Sequence, residues 1–294
     1  MGGNTSRSAR RSSRRLLLVV LSLGVLALAG CTEADIQQWK RLGLPAPSGN
    51  RTPYVEHLWI GAWIAAAFVG FLVWGLIGWA TRRYKRKDPN YIPKQNRYNL
   101  PMEIMYTIVP FIIIGVLFYY TIVAQHKVLA TDPDPQHTID VVGQKWSWTF
   151  NYKEADNPQV GQDVWEAGTI NRSPDLYLPV GQSIRFNLSS PDVIHSFWIP
   201  SFYTKLDIIP GKDNHFFTTP TTIGTFPGKC AELCGTYHST MIFNVHIVSE
   251  ADYNAYLKTL VAKGQIGEAK GPKDANSPVN PNPEATTASE EGTG

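Results

Sequence analysis

No phosphate-binding glycine loop, no nucleic-acid-binding motif and no internal repeat occur in this sequence. Nucleotide-phosphate chemistry, nucleic-acid recognition and solenoid architectures are thereby set aside. There is no C-x2-C-H run either, so the chain does not carry its own covalently attached c-type haem. Cysteine is scarce, with three in 294 residues: Cys31, Cys230 and Cys234. Neither sign of charge is in excess, since 27 Lys and Arg face 24 Asp and Glu. The basic residues gather near the N-terminus and in the span 81–100, where topology accounts for them better than an acidic partner would. A hydrophobic content of 43% suits one medium domain plus membrane segments, not one large soluble core.

The N-terminus has an export pattern. Residues 1–30 hold Arg7, Arg10, Arg11, Arg14 and Arg15, then an apolar run from Leu16 to Leu28 and the small pair Ala29-Gly30, as in a secretory signal. Leu28-Ala29-Gly30-Cys31 resembles a bacterial lipobox, which implies a lipid on Cys31 and an extracytoplasmic segment over 31–56. Leu58 to Ala80 is apolar without a charge and would span about 34 Å as a helix, so a transmembrane helix is predicted over 57–80. Ile104 to Ala124 would span about 31 Å and predicts a second over 103–124, with Pro110 tolerable inside a membrane helix. Between them, residues 81–102 carry seven basic residues against Asp88 alone, which makes this loop cytoplasmic and places the N-terminus and everything after Ala124 outside.

Beyond the membrane, strand-like runs recur between turn signals at Thr138–Tyr152, Asp175–Leu188, Val193–Pro200, Asn214–Thr219 and Met241–Val248. Such spacing predicts a β-sandwich or barrel. Trp146, Trp148, Phe150 and Tyr152 alternate and are expected on one side of a strand, Trp148 and Phe150 as core. Ser249 is expected to cap a short helix burying Tyr253, Tyr256, Leu257 and Leu260. The Gly-, Pro- and Asn-rich tail 263–294 is expected to be disordered.

The most informative segment is Cys230-Ala231-Glu232-Leu233-Cys234-Gly235-Thr236-Tyr237-His238-Ser239-Thr240-Met241, with His195 upstream in an apolar run. Thiolate and thioether donors are soft and select copper or zinc over magnesium or calcium. Two Cys and two His would satisfy zinc, but zinc leaves Met241 unused and offers no redox chemistry. A mononuclear blue-copper site needs a single Cys. A disulfide between Cys230 and Cys234, with Met241 as core filler, is the structural alternative. A binuclear copper centre uses every donor: two bridging thiolates, one His on each metal, and weak axial ligands. The pattern C-x3-C-x3-H-x2-M with an upstream His, behind a membrane anchor, favours a metal site.

The segment resembles the CuA loop of subunit II of haem-copper cytochrome c oxidases, a resemblance that runs from about residue 57 to about 262. It implies a two-helix transmembrane hairpin followed by an extracytoplasmic all-β cupredoxin-like sandwich over 125–262. It also implies two copper ions bridged by Cys230 and Cys234, with His195 and His238 as terminal imidazoles and Met241 and the Glu232 carbonyl as axial ligands. The Glu232 side chain resembles a ligand of a magnesium shared with subunit I, with Lys205 and Asp207 beside it; a plain surface ion pair is the alternative for those two. Trp146 resembles the exposed aromatic at which electrons arrive. Glu103 resembles the carboxylate at the mouth of a proton pathway, a plain interfacial anchor being the alternative.

The implied function is to receive electrons from cytochrome c, or from a c-type cytochrome domain of a bc complex, and to pass them to haem a in subunit I. That subunit also holds haem a3 and CuB, and with subunit III the complex reduces oxygen to water and translocates protons. Residues 125–262 contain nine basic and 14 acidic side chains, a net −5 suited to steering a basic donor. Two other classes compete. A quinol oxidase subunit II shares the fold but lacks the copper ligands, which are intact here; a membrane-anchored copper carrier would have no use for Glu103 or Trp146.

Overall fold

The computed structural model describes residues 32–269 together with Val19. The export signal 1–30, the lipid attachment at Cys31 and the tail from residue 270 onward lie outside the described residues. The chain divides into two units, one ending at Ala46 and one beginning at Pro47. In the first, helix α1 (Glu33–Lys40) starts at a reciprocal cap: Asp35 N–H donates to Thr32 Oγ1 at 3.2 Å and Thr32 N–H to Asp35 Oδ2 at 2.8 Å.

The second unit opens with two long apolar helices, α2 (Thr52–Arg83) and α3 (Leu100–Val128). Both outrun the predicted apolar stretches by a turn or so, because the flanking sequences supply helix ends. Pro53 and Pro101 fall in the first turns, where a missing N–H costs nothing. At the start of α3, Asn99 Oδ1 accepts from Met102 N–H, and Glu103 Oε1 accepts from Asn99 N–H at 2.9 Å. At the other end of the hairpin, Arg51 Nη1 donates to the Lys127 and Val128 carbonyls at 2.7 and 3.3 Å, satisfying last-turn acceptors of α3 from the start of α2. Apart from Thr52 and Ala124 neither helix buries a residue, so nearly the whole apolar surface of the pair is open.

After the hairpin, the described residues form ten strands and an α-helix: β1 (His137–Gln144), β2 (Ser147–Tyr152), β3 (Val164–Ala167), β4 (Asp175–Pro179), β5 (Ile184–Ser189), β6 (His195–Ile199), β7 (Thr204–Ile208), β8 (Asn214–Thr218), β9 (Gly224–Cys230), β10 (Ile242–Val248) and α4 (Glu250–Ala262). They form a sandwich of two five-stranded sheets, ordered β3-β2-β1-β5-β8 and β4-β10-β9-β6-β7. The core between them is aromatic: Phe197 stacks on Phe243 at 5.1 Å, and Trp148 meets both rings edge-on.

Several expectations need correction. The run Thr138–Tyr152 is two antiparallel strands broken at Lys145–Trp146, so Trp146 leaves the buried stripe of Trp148, Phe150 and Tyr152 and sits in the connecting turn. Asp175–Leu188 is likewise two strands, turned at Gly181 with φ +78°. Strands β3, β7 and β9 fall outside the five strand-like runs named above. In β9, Gly228 lies directly opposite Phe243, and a Cβ there would come within 2.1 Å of the ring, so glycine is required although it weakens the strand pattern.

The tail is not disordered from residue 263. Trp165 N–H donates to the Gln265 carbonyl, Gly267 N–H to the Asp163 carbonyl, and Ala269 N–H to Asn151 Oδ1, with Glu268 paired to Lys153. Residues 265–269 thus cover the open edge of β3, whose unpaired backbone groups would otherwise face solvent. Ser249 does cap α4, accepting from Asp252 N–H, and Tyr253, Leu257 and Leu260 are buried while Tyr256 is only partly so.

Candidate metal centre

Three places in the fold bring soft donors to one end of the sandwich. His195 opens β6, Cys230 closes β9, and the loop from β9 to β10 carries Cys234, His238 and Met241. The loop is tied at its base, where Cys230 N–H donates to the Met241 carbonyl at 3.0 Å and Ala231 N–H to the Ser196 carbonyl at 3.0 Å. Trp148 Nε1–H reaches the same Met241 carbonyl at 3.2 Å, so a core tryptophan holds a donor residue by its backbone.

The donor atoms form a row. His195 Nδ1 is 3.9 Å from Cys230 Sγ, the two sulfurs are 3.9 Å apart, and Cys234 Sγ is 3.5 Å from His238 Nδ1. Met241 Sδ lies 3.8 Å from Cys234 Sγ, and the Glu232 carbonyl 3.2 Å from Cys230 Sγ. A sulfur separation of 3.9 Å is far beyond the ~2.05 Å of a disulfide, and both thiols are free. His195, Cys230, Cys234 and Met241 are buried, whereas the Glu232 side chain points to solvent. Donor atoms of His195, Cys230 and Cys234 all lie within 4.8 Å of one another, and His238 joins from the Cys234 side. Buried, soft and mutually adjacent, these residues fit copper.

The thiols are tuned against each other. The hydrogen bond with Cys234, opposed by burial and helped by His195, brings Cys230 well below the usual thiol range. The resulting thiolate, together with burial, pushes Cys234 far up. One proton of the pair is thus held weakly and the other strongly, and a cation bound by both sulfurs would displace it.

A carboxylate absent from the sequence reading completes the surroundings. Asp192 Oδ1 accepts from His195 Nε2–H at 2.9 Å and from Val193 N–H at 2.6 Å, while Oδ2 accepts from Lys145 N–H at 2.7 Å. Burial opposes its ionisation, but these hydrogen bonds win and hold it at about 2. A metal-binding imidazole ordinarily has its other ring N–H on such an acceptor, which sets tautomer and ring angle. Gly143 is the close neighbour on the opposite side: a Cβ there would stand 3.3 Å from His195 and 3.2 Å from Trp148. The available signal for Asp192 was an acid three residues before the histidine.

The remaining sequence-named residues are distributed as follows. Trp146 touches the loop directly, donating Nε1–H to the Cys234 carbonyl at 3.2 Å. Lys205 and Asp207 on β7 pair with each other at 3.0 Å, both largely exposed. Glu103 is remote in sequence and element, serving in the cap of α3.

Comparisons with known proteins give the following matches. A family model described as "Cytochrome C oxidase subunit II, periplasmic domain" matches residues 137–248. The chain is 44% identical to a probable cytochrome c oxidase subunit 2 of Streptomyces avermitilis, covering 90% of this chain and 92% of that one. It is 35% identical to cytochrome c oxidase subunit 2 of Mycobacterium bovis, with coverage of 84% and 82%. Among solved structures, the periplasmic domain of subunit II of the Bradyrhizobium japonicum oxidase aligns at 27% identity and TM-score 0.39, over 45% of this chain and 99% of that one.

Proposed function

Because the chain belongs to the family of cytochrome c oxidase subunit II, we propose that it receives electrons from cytochrome c at a binuclear copper centre and delivers them to haem a of subunit I. The carrying observation is the row of donors: each imidazole abuts a different thiol, at 3.9 and 3.5 Å, with the two sulfurs between them. One tetrahedral zinc would need all four donors gathered around a single point, within about 3.8 Å of each other at ordinary bond lengths and the tetrahedral angle. Two metal positions sharing the thiolates give every donor a use. Cys230, Cys234, His195 and His238 would hold the copper, with Met241 and the Glu232 carbonyl as the weaker donors.

When bound, the copper pair supplies a one-electron redox couple. The protein's part is to keep the ligands still. Asp192 fixes His195, Trp148 and the β9–β10 pairing fix the ends of the loop, and burial of both sulfurs and Met241 excludes water. Ligands that move little between redox states keep the reorganisation barrier low.

The same reading gives roles farther out. The basic loop 81–102 lies in the cytoplasm and the sandwich outside, with Cys31 carrying a lipid. By the family resemblance the Glu232 carboxylate helps hold a magnesium ion against subunit I, in a patch that also includes Lys205 and Asp207. Glu103, already a cap for α3, stands at the mouth of a proton pathway. Oxygen is reduced in subunit I, at haem a3 and CuB.

Copper analysis and electron resonance of the purified full-length chain test the core of this. Two coppers per chain with a seven-line hyperfine pattern, from one electron shared by two nuclei, is the expected result. A four-line pattern from a single copper would exclude the shared pair.

A further inference from the structure

Trp146 is held by the ligand loop on three sides. Its indole N–H is bonded to the Cys234 carbonyl at 3.2 Å. Gly235, at φ +122°, lies beneath the ring, where an added Cβ would come within 3.1 Å of Nε1. Tyr237 meets the indole edge-on, with centroids 5.1 Å apart and planes at 73°. Tyr237 directly precedes His238, and its carbonyl accepts from Thr240 N–H at 3.1 Å and Thr240 Oγ1 at 2.9 Å, so its backbone is pinned. Its side chain is nevertheless 44% exposed, and nearby in the loop Leu233 is 78% exposed.

A large aromatic that is rigidly mounted, half open to solvent and flanked by an exposed apolar residue has the character of an interface anchor. Burial in the core does not explain Tyr237, and it is not among the copper donors. Resting on the reading of Trp146 as the point where electrons arrive, we infer that Tyr237 is a positioning residue for the electron-donating haem protein. It braces the indole and offers its own free face to the donor, so that the two rings make one contact. In the step served, one electron leaves the donor's ferrous haem, which becomes ferric, and reduces the oxidised copper pair. No proton moves and neither ring is itself oxidised.

The test is stopped-flow reduction of the intact oxidase complex by two reductants: reduced cytochrome c, which must dock, and hexaammineruthenium(II), which need not. Tyr237→Ser should lower the second-order rate with cytochrome c about tenfold, the effect of losing one interface anchor worth roughly 1.4 kcal/mol. The rate with the ruthenium complex and the copper resonance should be unchanged, and Tyr237→Phe should recover most of the loss because the ring remains. A wild-type rate for Tyr237→Ser beside a slow Trp146→Ala would overturn the inference while leaving the reading of Trp146 intact. A wild-type rate for Trp146→Ala would overturn that reading and the inference with it. Equal slowing by both reductants, or loss of the copper resonance, would make Tyr237 a structural part of the ligand loop and also overturn the inference.

Discussion

His195 is buried and His137 nearly so, and each is backed by a carboxylate, at two different places in the fold. His195 has Asp192 on Nε2 at 2.9 Å and faces the Cys230 sulfur through Nδ1. His137 has Glu154 on Nδ1 at 2.7 Å and Gln182 Oε1 on Nε2 at 2.5 Å. Glu154 also accepts from Tyr253 Oη at 2.8 Å and Asn157 Nδ2 at 2.7 Å, so this second cluster ties α4 to the start of β1. Burial, a carboxylate partner and a raised proton affinity are common to both imidazoles. What differs is the free nitrogen. At His137 both nitrogens are occupied by hard oxygen acceptors and the cluster is closed, whereas at His195 one nitrogen faces a thiol and the site can take a soft cation. A perturbed, buried histidine is thus not in itself a functional signature; the chemistry of its second partner decides.

Cutting each cluster in turn sharpens the contrast. The largest effect is expected for Cys230→Ser, which removes a bridging sulfur: copper analysis should show loss of the pair, and turnover with cytochrome c should vanish. Retained wild-type turnover would detach the copper row from function.

Glu154→Gln should act only on the other side. Removing one partner of a buried ionic cluster costs about 3 kcal/mol, read as a lower unfolding midpoint in denaturant with an unchanged copper spectrum. It should also flatten a pH dependence. Burial disfavours protonation of His137, but the hydrogen bond to Glu154 and the charges of Glu154 and Glu250 outweigh it and raise the folded-state value. The contribution is therefore fully present below the unfolded imidazole value of about 6.5 and is lost as pH rises through the raised folded value. A stability profile in Glu154→Gln as steep over that window as in the parent would contradict the assignment.

The smallest effect is expected for Asp192→Asn, which keeps the shape but weakens the hold on His195. Copper affinity should fall by about 10–100-fold, measured by competition with a chelator, with a smaller loss of stability than in Glu154→Gln. A larger loss of stability than of copper affinity would put Asp192 in the same structural class as Glu154.

Much of this molecule was legible along the chain. Two uninterrupted apolar runs specify α2 and α3 because twenty apolar residues in a row have few other uses. The donors of the copper row crowd into one segment plus one upstream histidine, and Ser249 announces α4 by a capping residue before a periodic apolar face. The illegible parts have physical reasons. Strand β9 reads as Gly-Thr-Phe-Pro-Gly-Lys-Cys, poor in β-formers, and is a strand because Phe243 needs the space over Gly228. Strand β3 is four residues long, and its edge is covered by the segment 265–269, whose composition resembles a loose tail. The break at Lys145–Trp146 is invisible to alternation, since a two-residue turn preserves the period of two that the aromatics display.

The amino-acid sequence alone determined the membrane hairpin, the sandwich class and the set of soft donors, because hydrophobic period and donor type are properties of local composition. It could not decide which groups stand behind those donors. That Asp192 rather than another of the 24 acids orients His195, that Tyr237 braces Trp146, and that His137 is closed off by Gln182 are outcomes of strand register and loop closure. Tyr237 with Trp146 and Gln182 with His137 are distant along the chain, and Asp192, though three residues from His195, is fixed by Lys145 N–H from the β1–β2 turn, so each arrangement exists only once the strands and loops have come together.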